Sequence, residues 1–298
     1  MTAIPSATPR LPVNRAVSTA PPGFLAGVTT IGLRELREAV RSRWFMLYTI
    51  AFAALGLGVS YISGASAGTA GLSSFGRTTA GLVNLVLLVV PLMALTAGAG
   101  TIASDRERGM LSYLLSQPVS RVEVLLGKYL GLAAALLACI CLGIGLCAVI
   151  LAWRGQATRP ESVLWLAGLS LGLALGMLSV GVLVSALSRK SSVATGAAIF
   201  LWLALVFVTD LGLMAGTLAL KLRIEELFAL SLINPLQVFK MWSLHAADAS
   251  LDVLGPAGLY ATEEYGSRLH LIFAAALVAW IVLPLAAAAV VFSRRPAV

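Results

Sequence analysis

The sequence predicts an all-α integral membrane protein with six transmembrane helices. Of its 298 residues, 59% are hydrophobic and only 11% are charged, whereas soluble globular domains carry about 25% charged residues. A helix needs about 20 apolar residues to cross a bilayer core of about 30 Å. Six stretches are long enough, namely residues 44–62, 80–102, 129–152, 163–187, 193–216 and 270–292.

The distribution of Lys and Arg predicts the orientation. The net charge is +8, but the basic residues are scattered between apolar runs, so we expect no nucleic-acid partner. An even number of spans places both termini on one side of the membrane. The loops and termini on that side hold fourteen Lys and Arg and those on the other side hold seven. Because cytoplasmic loops are enriched in these residues, both termini are expected in the cytoplasm and residues 217–269 outside.

Two segments precede the first span. Residues 1–22 contain several prolines and no apolar core of the kind a signal peptide has, which predicts a disordered cytoplasmic tail. Residues 23–43 form an amphipathic pattern with apolar residues on one side of a helical wheel and mainly Arg on the other. This pattern predicts an elbow helix along the cytoplasmic membrane surface. A solvated or partner-binding helix is the alternative.

The loop of residues 103–128 contains the clearest local pattern. Ser104–Glu107 matches a possible capping box, and apolar residues follow at helical spacing until Pro118. Ser120–Glu123 is a second capping box, which predicts the start of the third span. A short amphipathic helix is therefore expected, either to receive motion from a soluble subunit or to rest on lipid headgroups. Its apolar residues are Met110, Leu111, Leu114 and Leu115.

Signatures of enzymes and metal sites are not found. Gly127-Lys128 is followed by Tyr129, where a phosphate-binding loop needs Ser or Thr, and no metalloprotease or Gly-x-Ser-x-Gly pattern occurs. Catalytic residues, bound cofactors and metal ligands are therefore not predicted, and any ATP hydrolysis is expected in another chain. Cys139 and Cys141 lie about 200° apart on a helix and so cannot share an ion without another helix.

Two further features carry weaker expectations. Asp210 is the one acidic residue well inside a predicted span, which suggests either a function within the membrane or a place in the headgroup region. Residues 217–269 are long enough to fold, and Asn234-Pro235 predicts a helix that runs to about His245. This segment is expected to bind an extracytoplasmic partner; the alternative is that it only covers the helix bundle. Met241 and His245 lie one turn apart but do not define a metal site.

Several of these motifs resemble a known family. Asp105–Gly109, Leu114–Arg121 and Gly127-Lys128 resemble the coupling region of ABC-2-type permeases, the type V exporter architecture, and the likeness covers all six spans. Residues 232–240 and 251–260 are similar to the members of that family that serve nitrous oxide reductase maturation.

The resemblance implies a homodimer in the bacterial inner membrane, with ATP and Mg bound by a separate ATPase subunit and a β-helical protein outside. It implies coupling of ATP hydrolysis to motion or transport for copper-site assembly; a sulfur compound, copper or no cargo all remain open. The alternatives are a permease for drugs, lipids or polysaccharides, and a membrane anchor without transport. ATPase contacts are expected at Asp105, Glu107, Arg108, Met110, Leu111 and Leu114, and contacts with the outer partner at Asn234, Pro235, Gln237, Lys240 and Met241.

Overall fold

The computed structural model describes residues 23–65, 71–116, 119–153, 160–218, 223–246 and 264–294. The N-terminal tail of residues 1–22 and the stretch of residues 251–260 that carries part of the family resemblance lie outside these ranges. The described residues form helices joined by short turns, with no strand among them. An all-α architecture is therefore confirmed for the described part of the chain.

Ten α-helices make up this part of the chain, and we number them in chain order. They are α1 (Phe24–Arg41), α2 (Arg43–Ala65), α3 (Gly71–Glu107), α4 (Met110–Leu115), α5 (Arg121–Trp153), α6 (Pro160–Leu187), α7 (Ser191–Leu218), α8 (Ile224–Ile233), α9 (Pro235–Ala246) and α10 (Leu269–Arg294). A single 3₁₀ turn at Gly266–Arg268 leads into α10.

Five of the described helices are each long and apolar enough to cross a membrane. They are α3, α5, α6, α7 and α10, and they cover five of the six expected spans. The sixth expected span lies in α2, which meets the criterion only together with α1 across a bend of 64°. Likewise, α8 and α9 are long and apolar enough to cross a membrane only when they are taken as a pair, across a bend of 109°. The described helices thus support a multi-pass membrane protein with five to seven crossings.

The centre of the bundle is the seam between α3 and α6. A Cβ atom at Gly181 would lie 2.5 Å from the carbonyl oxygen of Leu95, and one at Gly98 would lie 2.8 Å from that of Leu178. Only glycine allows the two backbones to approach this closely, as is common between membrane helices. Near the end of the seam, the amide groups of Ile102 and Ala103 both donate to the Ser185 hydroxyl at 2.9 Å. These contacts fix the last turns of α3 against α6.

A second glycine seam holds α1 against the start of α5. A Cβ atom at Gly32 would meet the carbonyl oxygen of Gly127 at 3.2 Å, and one at Gly131 would overlap the carbonyl oxygen of Gly32. The expected amphipathic helix is therefore present as α1, with one face packed on the bundle. Its location along the membrane surface stays a prediction.

The structure has two distinguishable ends. We call the end that carries α1, α4, the turn at residues 188–190 and Arg294 the basic end. The helix pair α8–α9 enters from the opposite end, since it follows the last turn of α7.

Candidate functional site

The candidate site is the connection between α3 and α5 at the basic end, with α4 at its centre. Gly109 turns the chain with a φ of 72°, a left-handed conformation that glycine adopts without strain. Leu111 is buried and fixes α4 to the bundle, while Met110 and Tyr113 are 36% and 64% exposed. The expected short helix is confirmed, and its exposed face is partly apolar.

The two capping boxes have different outcomes. Ser104–Glu107 forms the last turn of α3 instead of the start of a new helix, so that interpretation is wrong; the apolar run before it simply continues as helix. Ser120 does begin α5, because the Glu123 amide donates to the Ser120 hydroxyl at 3.2 Å and that hydroxyl donates to the Glu123 carboxylate at 2.9 Å. The N-cap role of Ser120 is therefore confirmed, with the Glu123 carboxylate bound to the Ser120 side chain.

A buried charge cluster joins three helices beside α4. The Lys128 ammonium on α5 lies 2.9 Å from the Glu35 carboxylate on α1 and 2.8 Å from the Asp105 carboxylate on α3. The three side chains are only 7%, 15% and 17% exposed, respectively. Burial raises the pKa of Glu35, although the neighbouring Lys128 charge partly opposes this. Each charge in this cluster depends on the others, because a buried ion without its partner is strongly destabilising.

The next two residues of α3 contact the turn between α6 and α7. The Arg106 guanidinium donates to the Ser188 carbonyl oxygen at 2.6 Å, at the end of α6. The Glu107 carboxylate accepts from the Ser191 amide at 3.1 Å, at the start of α7. A cation at a helix C-terminus and an anion at a helix N-terminus both match the helix dipole. The end of α3 is therefore bound to both neighbouring helix ends.

A similar contact reaches α10. The Arg121 guanidinium, on the first residue of α5, donates to the Phe292 carbonyl oxygen at 3.0 Å and to that of Ser293 at 3.2 Å. Together with the charge cluster and the α6–α7 contacts, this links the chain on both sides of α4 to α1, α6, α7 and α10. A displacement of α4 would therefore act on four other helices through specific polar contacts.

The structure separates the expected ATPase-contact residues into two groups. Asp105 and Glu107 make the contacts just described, Leu111 is buried and Leu114 is half-buried, so these residues hold the connection in place. Arg108 and Met110 lie on the exposed side. Sequence patterns alone predict no role for Lys128, Arg106, Arg121 or Glu35. Lys128 could have been singled out because it lies at the edge of an apolar run, where a charged side chain needs a partner of opposite charge.

The expected partner-binding residues at the opposite end lie mostly inside the protein. Asn234 donates from its amide to the Leu205 carbonyl oxygen at 2.9 Å and accepts from the Leu236 amide at 3.0 Å. Leu205 lies about 20 Å along α7 from Ser191, given the helical rise. The turn between α8 and α9 therefore reaches the middle of the bundle, although residues 217–269 were expected wholly outside. The helix predicted to start at Pro235 is confirmed.

Burial limits what these residues contact directly. Asn234, Pro235, Gln237 and Met241 are buried, and Lys240 is half-buried. In this structure the first four side chains fix α9 within the bundle. Near the end of α9, the Trp242 indole donates to the His270 ring at 3.0 Å and so connects α9 to α10. Partner contact at the five residues stays a prediction.

The remaining sequence expectations concern thiols and Asp210. Cys139 is buried and accepts from the Thr49 hydroxyl at 3.2 Å, whereas Cys141 is exposed. The two thiols thus face different surroundings, as the helical wheel predicted. Within the described ranges no three His, Cys, Asp or Glu side chains form a group that could hold a metal ion. Asp210 falls in α7, but its side chain lies outside the described part of the structure.

Comparison with known proteins identifies the family. The family model described as "ABC-2 family transporter protein" matches residues 29–296. The chain belongs to the ABC-2 transporter family. It is 30% identical over 274 residues to the "Probable ABC transporter permease protein NosY" of Stutzerimonas stutzeri, covering 90% of this chain and 98% of the relative. It is 32% identical over 281 residues to the protein of that name from Pseudomonas aeruginosa, with the same coverage.

The comparisons agree with the motifs noted in the sequence. The resemblance noted in the sequence is therefore confirmed, both for the family and for its NosY-like members.

Proposed function

We propose that this chain is the membrane permease of an ABC transporter and that a separate ATPase subunit contacts the exposed face of α4. The observation that carries the proposal is the position of Met110 and Tyr113, exposed on a short helix whose buried residue, Leu111, fixes it to the bundle. Exposed apolar and aromatic side chains beside charged ones are typical of a protein interface. Arg108 adds an exposed positive charge to the same surface.

In this proposal the basic end faces the cytoplasm and two copies of the chain work as a homodimer in the inner membrane. An ATPase subunit that closes on ATP displaces α4. The displacement then reaches α1 through Lys128, the α6–α7 turn through Arg106 and Glu107, and α10 through Arg121. The chain itself needs no nucleotide-binding residue, since ATP and Mg bind to the partner.

Substitution of the exposed face of α4 tests the proposal. Met110→Glu combined with Tyr113→Glu places two carboxylates in the proposed interface without touching Leu111. We expect loss of the ATPase subunit on co-purification, because desolvated unpaired charges oppose binding. Val193→Glu is the matched control, since Val193 is also an exposed apolar residue at the basic end. Normal co-purification and normal ATP-driven activity of the double variant would show that the interface lies elsewhere.

We further propose that the transporter serves copper-site assembly of nitrous oxide reductase, together with a β-helical protein outside the membrane. Similarity to two NosY proteins over 90% of the chain supports this choice over a permease for drugs, lipids or polysaccharides. Deletion of the gene should give nitrous oxide reductase with an incomplete copper centre, seen by metal analysis and visible absorption, and the wild-type gene should restore it. A complete centre in the deletion strain would contradict this assignment.

A membrane anchor without transport would not respond to nucleotide. Distances between spin labels on α4 and α10, measured in the complex with and without ATP, separate the two cases. We expect the distance to change on ATP binding. An unchanged distance in a complex that hydrolyses ATP would favour the anchor.

A further inference from the structure

We propose that α1 and the start of α2 bind anionic phospholipid headgroups through Arg37, Arg41 and Arg43. These three residues are called the arginine cluster below. The inference rests on the proposed function only for the side of the membrane on which α1 lies.

Three faces of α1 are distinguished by burial. Residues follow one another by about 100° around a helix. Gly27, Val28, Gly32 and Glu35 point towards α5, where the first three are buried and Glu35 pairs with Lys128. Away from this face lie the exposed apolar residues, including Leu25, which is 75% exposed, and Leu33, which is 58% exposed.

The third face is basic. Arg37 and Arg41 lie one turn apart, next to the apolar face, and are exposed. Arg34 lies on the same side but is already paired with Glu38 at 2.8 Å. Within the described residues, Arg37, Arg41 and Arg43 have no acidic side chain within ion-pair distance. Two uncompensated positive charges therefore lie on one side of α1, and Arg43, two residues beyond its end, adds a third at the start of α2.

The position of the arginine cluster along the chain matches a headgroup layer. Arg43 is the first residue of α2 and directly precedes Trp44, which is 74% exposed. After Trp44 the exposed side of α2 is apolar, with Met46, Leu47 and Ile50 each more than half exposed. Trp is enriched at the membrane–water boundary, and basic residues beside a span favour anionic lipids. The cluster thus lies where an apolar lipid-facing surface begins, at the depth of phosphate groups.

Contacts within the bundle connect this surface to the candidate site. The glycine seam and the Glu35–Lys128–Asp105 cluster join α1 to the ends of α3 and α5 that flank α4. Headgroup binding should therefore hold α1 in place and also favour ATP-driven activity.

The test compares two triple variants of equal charge in the complete complex. Arg37→Gln/Arg41→Gln/Arg43→Gln removes the cluster, and the control Arg34→Gln/Arg189→Gln/Arg294→Gln removes three exposed arginines of the basic end. Native mass spectrometry counts phosphatidylglycerol and phosphatidylcholine molecules that remain bound from mixed micelles. We expect the cluster variant to lose its preference for phosphatidylglycerol by about fivefold for each arginine, and the control to keep most of it.

Activity provides the second measurement. In nanodiscs, ATP hydrolysis by the wild-type complex should rise when phosphatidylglycerol replaces part of the phosphatidylcholine, and the cluster variant should not respond. An unchanged lipid preference in the cluster variant, or an equal loss in both variants, would overturn the proposal. Loss of the ATPase subunit from the cluster variant alone would assign the arginines to a protein contact instead. The lipid count does not require ATP hydrolysis, so failure of the proposed function would leave that result interpretable.

Discussion

The two ends of the bundle hold their helices together by different chemistry. At the basic end, charged side chains make the contacts: Lys128 between two carboxylates, and Arg106 and Arg121 on the carbonyl oxygens at helix ends. At the opposite end, α9 is inserted among apolar helices, and the Asn234 side chain fixes the turn before it through one contact with α7 and one with α9. An ionic contact needs a particular partner at a particular distance, whereas apolar packing tolerates small shifts of one helix against another. The comparison suggests that the basic end transmits displacement and the opposite end accommodates it.

The largest effect should come from Lys128→Met. Without the ammonium group, the Glu35 and Asp105 carboxylates face each other in a buried site, and breaking a buried ion pair in this way costs about 3–5 kcal/mol. Unfolding of the purified protein in mixed micelles measures the loss. The fully neutral variant Glu35→Gln/Lys128→Met/Asp105→Asn should recover most of the stability, because no unpaired charge remains. If Lys128→Met left the stability against unfolding unchanged, the ionic character assigned to the basic end would be wrong.

A smaller effect is expected from Asn234→Ala at the opposite end. The substitution removes the contact with the Leu205 carbonyl oxygen and the capping contact with the Leu236 amide, which together are expected to stabilise the fold by about 2 kcal/mol. The same unfolding measurement applies, and Asn234→Ser separates the two contacts, since a hydroxyl can cap α9 but is too short to replace the amide donor to Leu205. A loss larger than that of Lys128→Met would reverse the comparison between the ends.

The smallest effect should come from Trp242→Phe. A phenyl ring keeps part of the packing against Phe273, whose ring centroid lies 6.2 Å from that of Trp242 in the wild type, and the hydrogen bond to His270 is lost. For an exposed neutral pair we expect about 0.5 kcal/mol. Hydrogen exchange at the end of α9 should report a local rise in exchange rate with unchanged exchange in α3 and α6. A global loss of protection would show that the opposite end depends on this bond more than the comparison allows.

Sequence patterns predicted the helices well because apolar length and capping residues act locally. The third span, whose start was placed at Ser120, and the helix that begins at Pro235 both begin where these signals placed them. The same rules failed at Ser104–Glu107, where a matching motif lies inside α3. A capping box requires a preceding turn, and the sequence around Ser104 contains no residue that interrupts the helix.

The site itself was only partly predictable. The apolar spacing placed Met110 on a short helix, and the family resemblance proposed Arg108 as a contact, but the partners of Lys128 come from residues 93 and 23 positions away along the chain. Such pairings depend on how three helices pack, and one sequence carries no information on that arrangement. The inward position of Asn234 was missed for the same reason: its Leu205 partner is a main-chain oxygen, which has no side-chain signature.

Two arginines at the basic end donate to main-chain oxygens. Arg106 and Arg121 donate to carbonyl oxygens of Ser188, Phe292 and Ser293, and every amino acid supplies such an oxygen. Substitutions at Ser188 and Ser293 can therefore accumulate without breaking the links, provided the helix ends stay in place, whereas Phe292 is buried in the core. Related permeases should then vary at the two serine positions while the two arginines are retained.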